Sequence, residues 1–196
     1  AREIDNKFNA KRRYGRSTNN LGITLWKMGR LVEAEERMRE SLRIYEELFG
    51  TQHEYTATIM NTLGVVYREQ GRIPQSLNLQ LSALQVIEET VGVHTRRAYW
   101  LKGNLADTYA ASGEHSKAEQ LYLSAIQGYR QLFTNAHPQL GRILTKYAEF
   151  LDQIGRSEEA ESYHNDALKI LREQLGSQHP RVAESLMKAA HNAARR

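Results

Sequence analysis

Apolar residues recur along this chain in stripes that predict pairs of helices. Two stripes with the three-and-four spacing of one helix face are formed by Ile59, Leu63, Val66 and Tyr67, and by Leu77, Leu81, Leu84 and Ile87. Gly71 lies between the stripes and suits the left-handed cap that ends a helix. Pro74 follows and suits the first turn of a helix. The pattern predicts a helix over residues 55–69, a short turn, and a second helix that ends near Val91.

The helix pair repeats with a constant period of 42 residues. Large residues mark the period at Leu21, Leu63, Leu105 and Tyr147. Glycines keep the same register at Gly29, Gly71, Gly113 and Gly155. Small residues do so at Ala34, Ser76, Ala118 and Ala160, and again at Ser41, Ala83, Ala125 and Ala167. Such a period indicates a stacked repeat array, so function is expected from a repeated surface rather than from one pocket.

The small residues have a physical reason. Helices that cross at about 8–10 Å leave room only for Gly, Ala or Ser beneath the crossing. Larger residues in the same register are expected to fill the space between consecutive repeats: Leu25, Tyr67, Tyr109 and Leu151.

We predict one continuous domain over residues 1–196, because no linker interrupts the period. Residues 1–10 align with the end of a preceding helix, with Ile4 and Phe8 near the phases of Tyr45 and Phe49. The repeats are predicted at 11–52, 53–94, 95–136 and 137–178, followed by a capping helix at 179–196.

Composition excludes several classes of protein. Hydrophobic residues make up 40% and charged residues 26% of the chain, which is ordinary for a globular protein. The absence of cysteine removes disulfides, zinc-thiolate sites and thiol nucleophiles. No apolar run is long enough for a membrane span and no signal peptide is visible, so we expect a cytoplasmic protein.

The charge balance gives only weak support for nucleic-acid binding. The 27 basic and 23 acidic side chains leave a net charge of +4, although Lys11, Arg12, Arg13 and Arg16 crowd the start. A nucleic-acid-binding helical repeat remains an alternative on this evidence and on a sequence pI of 9.3. It would need a continuous basic track and stacked bases.

Catalytic and metal-binding chemistry is not indicated. His53, His137 and His179 recur at the starts of first helices, where an imidazole can satisfy free backbone groups. The chain contains no glycine-rich phosphate loop, no Ser/His/Asp arrangement and no HExxH motif. We therefore expect no cofactor, no bound metal and no enzymatic activity.

The pattern of small and large residues resembles the tetratricopeptide repeat. The ordinary repeat has a period of about 34 residues, whereas this period is 42. The segments 45–50, 171–176 and 176–183 resemble the longer repeat typified by kinesin light chains. The resemblance covers residues 11–194 and implies an all-α, right-handed superhelical solenoid of antiparallel helix pairs with a C-terminal capping helix.

Two features depart from the kinesin-light-chain pattern. The His-Pro junction is present at His137-Pro138 and His179-Pro180, but reads His53-Glu54 and Thr95-Arg96 elsewhere. The paired asparagines of the first helix are found as Asn19-Asn20, Asn61-Thr62 and Gly103-Asn104, and then as Thr145-Lys146. Peptide binding is therefore expected mainly in the first three repeats.

The resemblance implies a concave groove lined by the first helix of each repeat. The residues that it assigns to this groove are Arg16, Asn19, Asn20, Ile23, Lys27, Thr58, Asn61, Thr62, Val65, Arg68, Trp100, Asn104, Asp107, Arg142 and Lys146. Asparagine offers a donor and an acceptor together, which suits an extended peptide backbone. We expect an acidic peptide or partner helix with an aromatic or apolar anchor, bound as in cargo and adaptor recognition. Asp107 and Val65 stand where a chaperone-binding clamp needs asparagine, so that mode is disfavoured.

Other functions stay open at this level. Similar arrays form the sensor arms of multidomain signalling proteins such as kinases and nucleotide-switch receptors. Self-association through exposed repeat ends is also compatible with the pattern.

Overall fold

The computed structural model describes residues 2–133, 137–180, 182–183 and 186–187. This part of the chain contains no strand and folds into eight α-helices: α1 (Arg2–Lys27), α2 (Leu31–Phe49), α3 (Glu54–Glu69), α4 (Ile73–Thr90), α5 (Arg96–Ala111), α6 (His115–Leu132), α7 (Pro138–Gln153) and α8 (Ser157–Leu175). The all-α fold of successive helix pairs is confirmed. None of the eight described helices combines the length and the hydropathy that a membrane span requires.

The chain divides into two compact units, a first unit from Ala1 to Val93 and a second unit from His94 to Arg196. The sequence pattern predicts one continuous domain, whereas each of these units contains two of the predicted repeats. The first unit consists of α1 to α4 and the second of α5 to α8. The capping helix predicted at 179–196 lies mainly outside the described residues.

The helix α1 is longer than the other first helices. It has 26 residues, whereas α3 has 16. Residues 2–10 continue α1 without a break, where the sequence pattern predicts the end of a separate helix. The reason is local: one period later, Gly50 ends α2 with a φ of 83°, but the corresponding residue here is Phe8, which favours continued helix.

The turn inside each repeat follows the predicted glycine. Gly71 has a φ of 76°, a left-handed conformation that glycine adopts without steric cost. A charged residue immediately precedes each second helix, and its side chain contacts a residue in the first turn of that helix. Arg30 bonds Glu33, with Nε to Oε1 at 2.6 Å, and Arg156 bonds Glu159 at 2.7 Å. These pairs favour the helix start, because an acidic side chain lies near the positive helix N-terminus.

The predicted small residues lie at the helix crossings. All eight of them are 0% exposed: Ala34, Ser41, Ser76, Ala83, Ala118, Ala125, Ala160 and Ala167. The hydroxyl of Ser76 donates a hydrogen bond of 2.7 Å to the carbonyl of Gly64 on α3. A Cβ added to Gly64 would lie 2.7 Å from Cγ of Gln80. The predicted close crossing of α3 and α4 is therefore confirmed.

Each unit has the same contact between its two repeats. In the first unit α2 packs on α3, and Glu35 accepts a hydrogen bond of 2.9 Å from Arg72. In the second unit α6 packs on α7, and Glu119 accepts a bond of 2.7 Å from Arg156. The hydroxyl of Tyr147 also donates to Glu119, at 2.9 Å. Polar bonds at the edge thus accompany an apolar interface in both units.

Candidate functional site

In the first unit, the predicted groove residues of α1 are mostly accessible. Arg16, Asn20 and Lys27 are exposed, while Asn19 and Ile23 are half-buried. The exposed three lie at the spacing of one helix face. This face of α1 can therefore present cations and an amide to a ligand.

The predicted groove residues of α3 are mostly buried. Asn61, Thr62 and Val65 are 0%, 8% and 6% exposed, so they do not form an accessible groove wall. The physical reason is that α3 packs against α1, α2 and α4, which enclose it. Thr58 is half-buried and its hydroxyl donates to the carbonyl of Glu54 at 2.7 Å.

Arg68 is the predicted cation of α3. Its guanidinium donates to Glu69 at 2.7 Å, and its side chain is 15% exposed. Part of its charge is therefore already matched within the unit. The accessible predicted residues of the first unit lie mainly on α1.

In the second unit, four predicted residues converge on one cleft that α5, α6 and α7 line together. The cleft is small, about 10 Å³, which is room for one water molecule. Its lining residues are Tyr99, Trp100, Gly103, Asn104, Tyr129, Gln139, Arg142, Ile143 and Lys146. The predicted members are Trp100, Arg142 and Lys146, which are half-buried, and Asn104, which at 4% exposed offers almost no surface to a ligand. Sequence reasoning missed the contributions of Tyr99, Tyr129 and Gln139.

The cleft exists because the third repeat has a large residue where the second repeat has a small one, and glycine where the second repeat has a larger residue. Tyr99 stands where the second repeat has Ala57, and Gly128 stands where it has Val86. A Cβ added to Gly128 would lie 2.0 Å from Cζ of Tyr99. The Tyr99 ring therefore occupies the space of the missing side chain and forms one wall of the cleft. Tyr99 in a register of small residues is the signal that could have predicted this exchange.

A second glycine permits close approach of the two helices at the cleft. Gly103 stands where the first two repeats have Asn19 and Asn61. A Cβ added there would lie 2.5 Å from Cδ1 of Ile143 on α7. Any side chain at this position would push α7 away from α5.

Polar contacts beside the cleft neutralise one of its cations. The ammonium of Lys146 donates to the carboxylate of Asp107 and, at 3.1 Å, to Oδ1 of Asn104. The hydroxyl of Tyr122 donates to Asp107 at 2.6 Å. The predicted groove residues Asp107 and Lys146 thus bind each other.

The positive charge of Arg142 acts on Tyr129, a residue that lines the cleft. Burial raises the pKa of Tyr129 to about 12, while the guanidinium groups of Arg142 and Arg96 oppose this rise. The Tyr129 hydroxyl donates to the carbonyl of Arg96 at 3.2 Å. Arg142 therefore lies close enough to act on groups inside the cleft.

The recurring histidines have the predicted structural role at two helix starts. Nδ1 of His53 accepts a hydrogen bond of 3.1 Å from the backbone N–H of Tyr55. His137 accepts in the same way from Gln139, also at 3.1 Å. Burial, with a smaller effect of Arg96, lowers the pKa of His137. Since the accepting nitrogen must be unprotonated, this lowered pKa favours the cap.

A buried pair of titratable residues was not predicted. Nε2 of His164 lies 3.0 Å from Oδ2 of Asp152, with side chains 6% and 10% exposed. The pair joins α7 to α8 below the surface. In the described residues, no group of three or more His, Cys, Asp or Glu side chains could hold a metal ion.

Solved structures include several with the same fold. A Podosopora anserina protein of the kinesin light chain type, with nearly identical TPR-like repeats, is 19% identical with a TM-score of 0.71. That match covers 94% of this chain and 87% of that one. BtubC (BKLC) from P. vanneervenii is 16% identical with a TM-score of 0.70, covering 97% of this chain and 83% of that one.

The apo form of RapI also matches, at 15% identity and a TM-score of 0.67, over 92% of this chain and 63% of that one. At these identities the likeness is one of fold.

No curated protein matches this chain. The family model of the tetratricopeptide repeat matches residues 14–89 and 94–173. With the helix pairs and buried small residues described above, the chain therefore belongs to the tetratricopeptide repeat family, whose scaffolds are typical of protein–protein interaction.

Proposed function

We propose that this protein is a non-enzymatic interaction module that binds an extended, acidic peptide segment of a partner protein along its first helices. The observation that carries the proposal is the convergence of Trp100, Asn104 and Arg142 on one cleft of the second unit. Tryptophan and arginine are enriched at the hot spots of protein interfaces, and a guanidinium can bind a carboxylate through two hydrogen bonds.

Each group has a distinct part in this recognition. Arg142 offers five N–H donors in a planar fork, so it can bind a carboxylate in addition to its contacts within the unit. Asn104 is 4% exposed and its Oδ1 accepts from Lys146, so its part is to hold that ammonium beside the cleft rather than to contact the peptide. The half-buried ring of Trp100 supplies apolar surface for an aromatic or aliphatic anchor.

The size of the cleft limits what enters it. With space of about 10 Å³, the cleft has room for a water molecule but not for a side chain, so a carboxylate of the peptide must meet Arg142 at the mouth of the cleft. The anchor side chain of the peptide must therefore lie over Trp100, outside the cleft. An acidic residue next to an apolar one is the expected minimal motif.

The first unit provides a second, weaker site. Arg16, Asn20 and Lys27 are exposed on one face of α1 and attract an acidic segment. Exposed charges mainly raise the association rate and are screened by salt. This surface is therefore expected to contribute more at low ionic strength than at high ionic strength.

Pairing of the cations supports a protein partner over nucleic acid. Many basic side chains are held by acids within their own unit, including Lys11 by Glu47 and Lys146 by Asp107. Nucleic-acid binding needs a continuous track of cations that neutralise phosphates. The described basic residues are instead interspersed with their acidic partners.

Peptide selection tests the proposal. A peptide library is panned against the wild type, and the selected peptides are titrated in a Trp26→Phe background so that Trp100 alone reports binding. Enriched peptides are expected to be acidic with an apolar residue. Arg142→Ala is expected to weaken binding about tenfold or more, because a hydrogen bond to a charged group contributes about 1.5–3 kcal/mol.

The matched control is Arg130→Ala on α6, whose side chain lies 3.8 Å from Asp166 and outside the cleft. It removes the same charge and is expected to leave affinity unchanged. Selection of basic peptides, or equal losses of affinity in Arg142→Ala and Arg130→Ala, would contradict the proposed binding of acidic peptides at the cleft. Retention of a single-stranded oligonucleotide in place of peptides would favour the nucleic-acid alternative.

A further inference from the structure

The cleft of the second unit carries its cations at two levels, one helical turn apart. Trp100 on α5 and Arg142 on α7 share one register of the repeat. Asn104 and Lys146 share the register that lies four residues further along the same two helices. All four residues line the cleft. The Arg142 level and the Lys146 level each bring one cation to it.

An acid holds the cation of the Lys146 level. The ammonium of Lys146 donates to Oδ2 of Asp107 and, at 3.1 Å, to Oδ1 of Asn104. Oδ1 of Asp107 accepts a hydrogen bond of 2.6 Å from the hydroxyl of Tyr122. The side chains of Lys146 and Asp107 are 24% and 16% exposed, so water screens their charges only in part. Two donors on different helices therefore fix the carboxylate of Asp107 beside the ammonium.

This carboxylate is a feature of the third repeat and not of the repeat in general. Asp107 stands where the first two repeats have Ile23 and Val65. Its hydroxyl partner Tyr122 stands where the first repeat has Met38. Within the second unit, the polar contact thus replaces apolar residues at two neighbouring positions of α5 and α6.

The two levels match the spacing of an extended peptide. Arg142 and Lys146 are four residues apart on one helix, which is about 6 Å along its axis. Side chains two positions apart in an extended chain point the same way and are about 6.6–6.8 Å apart. A peptide that runs along α7 with a carboxylate at Arg142 therefore brings the side chain two positions away to Lys146 and Asp107.

We propose that Asp107 determines specificity by excluding a second acidic side chain from the Lys146 level. This inference rests on the proposed binding of an acidic peptide at Arg142. A peptide carboxylate that approached Lys146 would also approach the carboxylate of Asp107, and like charges in such a position repel each other. The cleft therefore takes an acidic residue at Arg142 together with an uncharged residue two positions away.

The probe is a pair of synthetic peptides derived from an acidic peptide that panning selects. The acidic residue that meets Arg142 is identified first, as the one whose replacement by Asn removes the difference in affinity between the wild type and Arg142→Ala. The two positions that lie two residues before and after it then carry Asn in one peptide and Asp in the other. Trp100 fluorescence in the Trp26→Phe background measures the affinities. The wild type is expected to bind the Asn peptide about tenfold more tightly, because like charges repel in the Asp peptide.

Removing the charge of Asp107 should reverse this preference. Asp107→Asn keeps an oxygen that can accept from Tyr122, but leaves Lys146 without the carboxylate. This variant is expected to bind the Asp peptide about tenfold more tightly than the Asn peptide, since the ammonium can then pair with the peptide. Adding Lys146→Met to Asp107→Asn is expected to abolish that gain, which a mere change in packing would not do.

Two further variants complete the test. Lys146→Met alone should widen the wild-type preference for the Asn peptide, because Asp107 then repels the Asp peptide without a neutralising partner; it tests the repulsion independently of the stability of Asp107→Asn. The matched control is Asp166→Asn on α8, which removes the same charge from a side chain that is 55% exposed and outside the cleft. It is expected to keep the wild-type preference. Far-UV circular dichroism confirms that each variant is folded.

The outcomes separate this inference from the proposed function. The same peptide preference in the wild type and Asp107→Asn, with binding that still depends on Arg142, would overturn the role of Asp107 and leave the proposed function intact. An equal reversal in Asp166→Asn would also overturn it, because net charge would then explain the effect. Binding that does not depend on Arg142 would contradict the proposed function and this inference with it.

Discussion

The exchange of Tyr99 and Gly128 makes a quantitative prediction about packing in the second unit. Restoring the residues of the second repeat, Ala at 99 and Val at 128, should cost less than the sum of the two changes made separately. Gly128→Val alone places a Cβ 2.0 Å from Cζ of Tyr99. The ring cannot move aside easily, because it is 4% exposed and its hydroxyl lies 3.0 Å from Nδ1 of His94.

The magnitudes follow from the two kinds of damage. Overpacking in Gly128→Val should cost about 1–3 kcal/mol or more, although removing a helical glycine ordinarily gains a few tenths of a kcal/mol. Tyr99→Ala removes a buried ring and should cost about 3–5 kcal/mol. In the double variant the valine occupies part of the space left by the ring. Its cost should therefore fall below the sum of the single costs by about 2 kcal/mol, a coupling typical of residues in contact.

Urea denaturation of the wild type, both single variants and the double variant measures this coupling. Far-UV circular dichroism reports all helices, and Trp100 fluorescence in a Trp26→Phe background reports the second unit. Additive free energies would refute the reasoning, because they would mean that the two positions do not share one space. The Gly128→Val variant should also bind acidic peptides less tightly, since Tyr99 lines the cleft.

Three further predictions concern stability. Ala118→Leu introduces a large side chain where exposure is 0%, so it should lower the free energy of unfolding by about 1–3 kcal/mol, and an unchanged Tm would contradict the repeat register. Because the pKa of His137 is lower in the folded chain than in the unfolded chain, the unfolded chain binds a proton first as the pH falls below about 6.5. The free energy that this cap contributes to folding is therefore fully present above that pH and is lost below it. His137→Asn, which caps without titrating, should flatten this part of the pH profile of urea midpoints, and an unaltered profile would count against the cap. Arg156→Met should lower the urea midpoint only slightly, because the pair with Glu119 is partly exposed, and the loss should shrink in high salt; a salt-independent loss would point to packing instead.

The repeat pattern was sufficient to predict the turn inside each helix pair and the positions where the paired helices cross. Gly71 and its equivalents require a left-handed turn, and the small residues of the second helices allow close crossing. Both constraints depend on the type of a single residue and its position in the period. The histidine caps belong to the same class, because His53 and His137 bond backbone groups only two residues away.

Accessibility of the candidate site could not be predicted in this way. A period fixes the direction of a side chain on its own helix, but the neighbouring helices decide whether that direction leads to solvent. Asn61 and Asn20 both belong to the predicted groove, yet Asn61 is 0% exposed and Asn20 is exposed, because α3 is enclosed by three helices. The course of α1 through residues 2–10 was missed for a related reason, since a helix end depends on the residue at its cap.

The sequence by itself determined the family, the helix pairs and the buried small residues, because these follow from local residue preferences repeated at a fixed interval. Only the tertiary structure decided that Trp100, Asn104 and Arg142 meet at one cleft, and that Lys146 is neutralised by Asp107. It also decided that Leu21 is exposed while Leu63, one period later, is covered. Such contacts join side chains that are distant in sequence, and they depend on how the helices pack against one another.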